Sequence, residues 1–330
     1  MDLTTTYMGL KLKNPIIVGA SPLTSTIESI KKLEKNGAAA VVLHSIFEEQ
    51  INHETHELDH FLFKGSEDYA EALGYFPEVT LSNLESKHYL DEIVKLKKNI
   101  SIPIIASINS VSIGGWVKYA TKLEEVGVDA LELNITYIPT DVELSSQNVE
   151  KLYVDAIKAV KESVKIPVSI KMNAVFSAPA NMAKRFCDAG ADGLVLFDRA
   201  VAVDIDLEDL NSTHYIRKTT SQDLSESLRW SAILYDKIDC SIAISSGVRD
   251  YQDILKSMMS GADAVEMVGA IMDNGSKHIK KTLKELKKWM KEKEYISIKQ
   301  MKGSISLKHT SNPSAYERAN YMRILTDYGY

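Results

Sequence analysis

Only two cysteines occur in 330 residues, too few to ligate an iron–sulfur cluster, which takes about four thiolates. Both, Cys187 and Cys240, sit in apolar stretches that read as a helix and a strand. They are expected to be separate buried thiols in a reducing compartment rather than a disulfide. Long apolar runs are missing as well. No stretch approaches the roughly 20 residues that cross a bilayer, and the opening MDLTTTYMGLKLKN lacks the apolar core of a signal peptide, so a cytoplasmic protein with no membrane partner is expected. A basic stripe is absent too: 39 lysines and arginines are interspersed among 45 carboxylates for a net charge of −6, which argues against a nucleic-acid partner. With no linker, low-complexity run or composition break, residues 1–330 read as one domain, with a C-terminal extension over about 295–330.

What is present is a repeating unit. NGAAAVVLHS (36–45), VGVDALELNI (126–135), AGADGLVLFD (189–198) and SGADAVEMVG (260–269) each join a helix-ending glycine, a small turn and a short, nearly all-apolar strand. Strands apolar on both faces belong to a parallel sheet that is covered by helices or closed on itself. Between them lie NPIIVGA (14–20), IPIIASIN (102–109), IPVSIKM (166–172) and SIAISS (241–246), which completes eight strands. Helical periodicity fills the gaps at Thr26–Lys35, His88–Lys98, Gly115–Val126, Val149–Val164, Ala178–Ala189, Ser225–Lys237, Tyr251–Ser260 and His278–Lys293. This alternation predicts an α/β protein of the (β/α)8 TIM barrel class.

Three decorations are expected on that barrel. LTTTYMGLKLKNP predicts an N-terminal hairpin, and residues 45–86 and 198–224 form long segments after strands 2 and 6, on the C-terminal face where barrel enzymes build their sites. Beyond the eighth helix, Pro313 followed by Ser314–Leu325 predicts a capped helix that packs through Tyr316, Ala319, Tyr321, Met322 and Leu325.

The ends of the last two strands suggest an anion site. Ser245-Ser246-Gly247-Val248 and Val268-Gly269-Ala270 stand where barrels of this class hold a phosphate, and a glycine at each turn lets backbone N–H groups come close to a ligand. Tight turns alone would also explain the two glycines; their matched positions favour the phosphate. Lys171 ends strand 5 in VSIKM, where an unpaired buried ammonium is costly. It either snorkels to water at the barrel top or serves as a cation beside an electron-accepting ring.

With these residues placed, the sequence resembles the flavin-dependent dihydroorotate dehydrogenase family, and more closely its divergent branch of dihydroorotate dehydrogenase-like proteins. The resemblance covers nearly the whole chain and rests on TTTYMGLKLKNPIIVGAS, ALELNI, SIKM, SSGV and MVGA. It implies a barrel that binds FMN, with a place in pyrimidine biosynthesis. Carried over by position, the flavin contacts would be Ala20, Ser21, Ser45, Asn134 and Lys171, with Ser246, Gly247, Gly269 and Ala270 at the phosphate. His44 stands where the family usually has a lysine, and Asn109 is added from its place at the end of strand 3.

The chain departs from the family where the chemistry lies. The family's strand 4 motif runs Asn, Leu, Ser, a catalytic cysteine or serine, then Pro-Asn; here it runs Asn134, Ile135, Thr136, Tyr137, Ile138, Pro139. After strand 6 the family's Asn-Ser substrate pair is replaced by Asp198-Arg199. A tyrosine, with a free pKa near about 10, is a poor base at neutral pH but a usable proton donor. The resemblance therefore implies hydride transfer at flavin N5, with Tyr137 handling the proton, Asn134 positioning the substrate or flavin edge and Arg199 pairing with a carboxylate. The substrate is a small molecule, dihydroorotate or another activated alkene, and electrons pass to or from a small molecule or an external protein. Tyr137 as a packing residue and Asp198-Arg199 as a loop ion pair remain the structural alternatives, and a flavin-binding homologue without turnover is the functional one. Related barrels commonly pair as homodimers, and the oligomeric state is left open.

One motif points elsewhere. HELDH (56–60) matches the H-E-x-x-H pattern of zinc proteases, with His53 nearby. Its setting, FEEQINHETHELDHFL, reads better as an acidic amphipathic lid helix with Phe47, Ile51, Leu58 and Leu62 turned inward, so no metal is expected.

Overall fold

The computed structural model of the protein describes residues 1–47, 86–110, 112–198, 202–215, 218–317 and 326. A hairpin opens the chain: β1 (Thr5–Tyr7) pairs antiparallel with β2 (Leu10–Leu12) in the register Thr5↔Leu12, and Met8 and Gly9 both take positive φ at the turn. Two consecutive left-handed residues make the tight turn whose twist suits a two-residue hairpin. The barrel follows as β3 (Ile16–Val18), β4 (Ala40–Val42), β6 (Ile104–Asn109), β7 (Ala130–Asn134), β8 (Val168–Met172), β9 (Gly193–Leu196), β12 (Ser241–Ile244) and β13 (Ala264–Glu266), with the two-residue strand β5 (Ile46–Phe47) added beside β6. Parallel pairing runs around the ring, and contacts of β13 with β3 and of β4 with β6 close it. The expected TIM barrel is therefore observed, and its helices match the predicted ones to within a few residues at either end.

The repeating unit has a physical cause beyond its glycine. In three of the four copies an aspartate follows the glycine by two residues, and in each its carboxylate caps the start of the neighbouring strand. Asp129 accepts the Ile104 N–H at 2.8 Å, Asp192 the Val168 N–H at 2.8 Å and Asp263 the Ile242 N–H at 3.0 Å. Each aspartate also meets one lysine: Lys97, Lys161 and Lys302 respectively. In the copy that lacks the aspartate, Asn14 does a related job, accepting the Ile16 N–H and donating to the Gly37 carbonyl. These latches stand at the N-terminal floor, where each strand enters the barrel. A hydrogen bond to a charged acceptor contributes roughly 1.5–3 kcal/mol.

Two apolar layers follow from the strand period of two. The outward set packs under the helices and includes Ile16, Val41, Ile104, Leu131, Ile170 and Leu194. A smaller inward set, including Ile17, Ala40, Val42, Ile105, Ala130 and Val195, fills the lower barrel together with Tyr7, Met8 and Leu12 of the hairpin. The hairpin is thus the plug of the floor. Gly193 makes room for it, since a Cβ there would lie 2.7 Å from Met8 Cγ and 3.1 Å from the Tyr7 hydroxyl. Helix starts carry side-chain caps where the sequence offers them: Thr26, Ser112, Ser145 and Asp250 each accept a backbone N–H of the first turn, about 1 kcal/mol apiece.

One expectation changes, and two segments gain detail. Cys187 and Cys240 form a disulfide with Cα atoms 5.7 Å apart. The register of β9 with β12 sets Ser241 against Gly193, which brings Cys240 beside the turn that follows the helix of Cys187 and so joins residues 53 apart in sequence. The helix expected over Ser314–Leu325 opens as a 3-10 turn, Pro313–Tyr316, with Glu317 extended; residues 318–325 lie outside the described residues, and Thr326 beyond them is helical. Of its other packing residues, Ala319, Tyr321, Met322 and Leu325 lie outside the described residues. Residues 198–224 fold in part as a hairpin, β10 (Ala202–Asp206) with β11 (Asn211–Tyr215), which exposes Val203, Ile205, Leu207 and Leu210. His53, the HELDH motif and the lid residues Ile51, Leu58 and Leu62 also lie outside the described residues, and Phe47 is exposed at the edge of β5.

Candidate active site at the barrel mouth

The C-terminal ends of the strands bring most of the expected residues to one rim. From β3 come Ala20 and Ser21, both half-buried, with the Ser21 hydroxyl donating to the Gly19 carbonyl. Beyond β4, His44 packs edge-on against Tyr89, whose hydroxyl donates to the His44 carbonyl. Burial holds the His44 ring below its ordinary pKa, only partly offset by Glu92, so a neutral imidazole is favoured at neutral pH. Its buried Nδ1 has no hydrogen-bond partner among the described residues. Ser45 is hydrogen-bonded through its hydroxyl to Ser107 at 2.8 Å, and Asn109 is buried at the end of β6.

Asn134 and Lys171 are register partners at the ends of β7 and β8. The Thr136 hydroxyl lies 3.5 Å from Asn134 Oδ1 and 3.4 Å from Asp198 Oδ2. Those distances are long for O–H donors, but they gather Asn134, Thr136 and Asp198 on one side of the rim. Tyr137 is 36 % exposed on the same loop, followed by the more exposed Ile138. Arg199 lies outside the described residues, so its pairing with Asp198 has no structural account.

Lys171 does not reach water. Its ammonium is 2.9 Å from Glu132 and 3.0 Å from Glu266, and all three residues are buried. Burial would pull the lysine's proton off, but the two carboxylates outweigh it and raise its pKa. The snorkelling alternative is therefore overturned. The carboxylates stood in the quoted strands ALELNI and AVEMVG, where each was an anomalous charge among apolar neighbours; that anomaly was the available signal.

Opposite these residues, Ser246 and Gly247 take consecutive positive φ of 64° and 83°. A Cβ on Gly247 would lie 2.6 Å from the Leu224 nitrogen, so this turn passes against the helix Leu224–Leu234. Gly269 and Ala270 begin a short helix, Gly269–Asn274, inserted before the long helix Lys277–Glu292. Sequence reading missed that helix, which occupies the place where barrels of this class bind phosphate. Arg249 was missed as well. Its guanidinium donates to the Thr219 carbonyl and to Asp273, with Nη1 3.2 Å from where a Cβ on Gly269 would stand. Lys218 joins Asp273, which ties the segment after β11 to this turn.

The rim thus offers a left-handed turn after β12 and a helix start after β13 for an anion, a buried cation on β8, and after β4 an imidazole nitrogen without a hydrogen-bond partner among the described residues. An aromatic ring carrying a phosphate fits that donor set. Among the described residues no cluster of three or more His, Cys, Asp or Glu could hold a metal ion, and no helix is long and apolar enough to cross a membrane.

Comparison with known proteins gives a match to the family described as dihydroorotate dehydrogenase over residues 2–290. Curated relatives include the catalytic subunit of dihydroorotate dehydrogenase B (NAD(+)) from Thermoplasma volcanium, 29 % identical over 92 % of this chain and 98 % of the relative. The same subunit from Methanocaldococcus jannaschii is 28 % identical over 91 % of this chain and 97 % of the relative. That from Methanocella arvoryzae is 30 % identical over 83 % and 88 %.

Proposed function

From the premise that the chain belongs to the dihydroorotate dehydrogenase family, whose members are flavin-dependent oxidoreductases acting on CH–CH bonds, we propose that it uses FMN and that Tyr137 replaces the usual cysteine or serine. The observation that carries this reading is the pairing of Asn134 with Lys171 at adjacent strand ends, below an exposed tyrosine and across the rim from the left-handed Ser246-Gly247 turn. Ala20, Ser21, His44, Ser45, Asn109, Asn134 and Lys171 would hold the flavin ring, and Ser246, Gly247, Gly269 and Ala270 its phosphate. Bound FMN supplies two-electron exchange with a substrate carbon through its N5 atom.

The remaining work falls to this chain's side chains. Tyr137 moves the proton at the substrate carbon next to the one that exchanges hydride, and a phenol is better suited to giving a proton than to taking one. Reduction of an activated C=C bond therefore fits the rim at least as well as desaturation of dihydroorotate. Thr136 and Asp198 orient the substrate's polar end, and Arg199 meets its carboxylate. Substrate and electron carrier are small molecules in this reading, or the carrier is a separate protein, as the relatives' designation as catalytic subunits supports. Residues 1–330 act as one domain, in the cytoplasm.

The test is an anaerobic spectrum of the purified protein. Bleaching of its yellow band by dihydroorotate assigns the family reaction. Reoxidation of the chemically reduced protein by fumarate or another activated alkene, without bleaching by dihydroorotate, assigns a reductase of another substrate. A protein that binds no added FMN overturns the proposal.

A further inference from the structure

One layer below the mouth, three ionisable side chains face the barrel axis: Glu132 on β7, Lys171 on β8 and Glu266 on β13, with 1 %, 8 % and 3 % of their surfaces exposed. Lys171 Nζ lies 2.9 Å from Glu132 Oε1 and 3.0 Å from Glu266 Oε2. The second contact is a close ion pair, and Glu266 Oε2 has no hydrogen-bond partner among the described residues. Among the described residues, Lys171 is the cation that meets either carboxylate. Two negative groups and one positive group leave an excess charge of −1 where water is excluded, a state that costs several kcal/mol unless a proton cancels it.

Among the described residues the surroundings offer no other cancellation. Tyr7, which rises from the hairpin below, is a phenol that burial and then the charges of Glu266 and Glu132 hold firmly protonated. Ser169 on β8, whose hydroxyl donates to the Leu131 carbonyl, and Ser245 just after β12 are both neutral. Asp198, above, adds negative charge to the field on Lys171. Gly19, just after β3, leaves no gap: a Cβ there would stand 3.1 Å from Glu266 Oε2.

We infer that Glu132, Lys171 and Glu266 form a one-proton cluster that sets the charge under the mouth, neutral when the two carboxyls share a proton and −1 when they do not. The proton rests on Glu132. Burial and then the adjacent Glu266 push that carboxyl up to about 8 in spite of Lys171. On Glu266 burial acts in the same direction, but the Lys171 ammonium, helped by the neighbouring Glu132 and Ser245, outweighs it and holds the group below the usual glutamate range. Both glutamates are positioning residues, acting on a ligand through Lys171. Because binding and protonation are linked, a ligand that brings negative charge to the mouth favours the protonated cluster, and the protonated cluster favours that ligand. This consequence rests on the flavin reading of the mouth; the cluster itself does not.

The test therefore begins with protein free of flavin. Infrared spectra between about pH 6 and about pH 10 should show the C=O stretch of one protonated carboxyl that disappears on titration, and carbon-13 NMR of wild-type protein labelled at the glutamate carboxyls should show the same event without any substitution. In Glu132→Gln and in Glu266→Gln a single carboxylate remains beside the ammonium, so the signal should be lost from both. No protonated carboxyl in the wild-type protein, or a signal that survives in both variants, overturns the cluster. FMN affinity is then measured over the same range. It should weaken up to about tenfold per pH unit above the transition in the wild type and lose that dependence in Glu266→Gln; an unchanged dependence in Glu266→Gln overturns the coupling. A protein that shows the carboxyl signal but binds no FMN refutes the flavin reading and leaves the cluster standing.

Discussion

The two ends of the barrel handle buried charge in opposite ways. At the floor, Asp129, Asp192 and Asp263 each cap one backbone N–H and meet one lysine, so charge is matched one to one and remains partly open to water. Near the mouth, two carboxylates share one lysine in a closed interior, the His44 Nδ1 atom has no partner among the described residues, and the Thr136 contacts are stretched to 3.4 and 3.5 Å. The floor's charges are matched, although the Tyr7 hydroxyl in its plug has no hydrogen-bond partner among the described residues. The mouth carries conflicts that packing alone would have removed, and such conflicts concentrate where a protein binds or reacts.

The comparison can be broken most sharply at Lys171. Lys171→Met leaves Glu132 and Glu266 buried without their cation and should destabilise the fold by about 3–5 kcal/mol in urea unfolding. A loss no greater than that from a floor aspartate would erase the distinction. Asp192→Ala removes one strand cap and one exposed ion pair, for an expected loss of about 1–3 kcal/mol, while FMN affinity stays within twofold of wild type. A fall in flavin binding there would mean that the two ends are coupled.

The next effect is set by pH. Glu132 is raised from the ordinary glutamate value to about 8, so below the unfolded value it is protonated in both states and its contribution is at its fullest. As pH rises through that interval the unfolded chain gives up its proton while the folded chain keeps it. Stability should therefore fall, by at most about 1.4 kcal/mol per pH unit, and level off above about 8. Glu132→Gln should flatten the slope; Glu266, whose pKa is lowered, contributes the opposite trend in acid. The smallest change in stability belongs to Tyr137→Phe, within about 0.5 kcal/mol at a half-open loop, although substrate turnover should fall roughly 100-fold or more with flavin still bound. Loss of flavin instead would remove Tyr137 from the reaction.

Much of the frame was legible in the chain because it depends on local rules. The glycine-ended repeats and the apolar strands announced the barrel, and Lys171 was recognisable as a charge in the wrong place. Its partners were not, since Glu266 reaches it from β13 across a ring in which β9 and β12 intervene. Only closure makes them neighbours. The disulfide was hidden for the same reason. The floor latches show a subtler failure: the Gly-x-Asp spacing lay in plain view, but an aspartate that caps another strand's N–H has no signature within its own segment. Helix Gly269–Asn274 is too short to display a period.

The disulfide joins Cys187 and Cys240 around a span that contains β9, the exposed hairpin of β10 and β11, and the helix Leu224–Leu234. That span is a covalent ring within the chain. A protease that cuts at the outward-facing hairpin tip, near Leu207 or Leu210, would open the ring without releasing a fragment: the cut molecule keeps its mass, travels as one band until a reductant is added, and separates into two pieces only then. The hairpin beside the mouth can accordingly be severed, or lengthened by inserted sequence, while the barrel on either side of it stays a single covalent body.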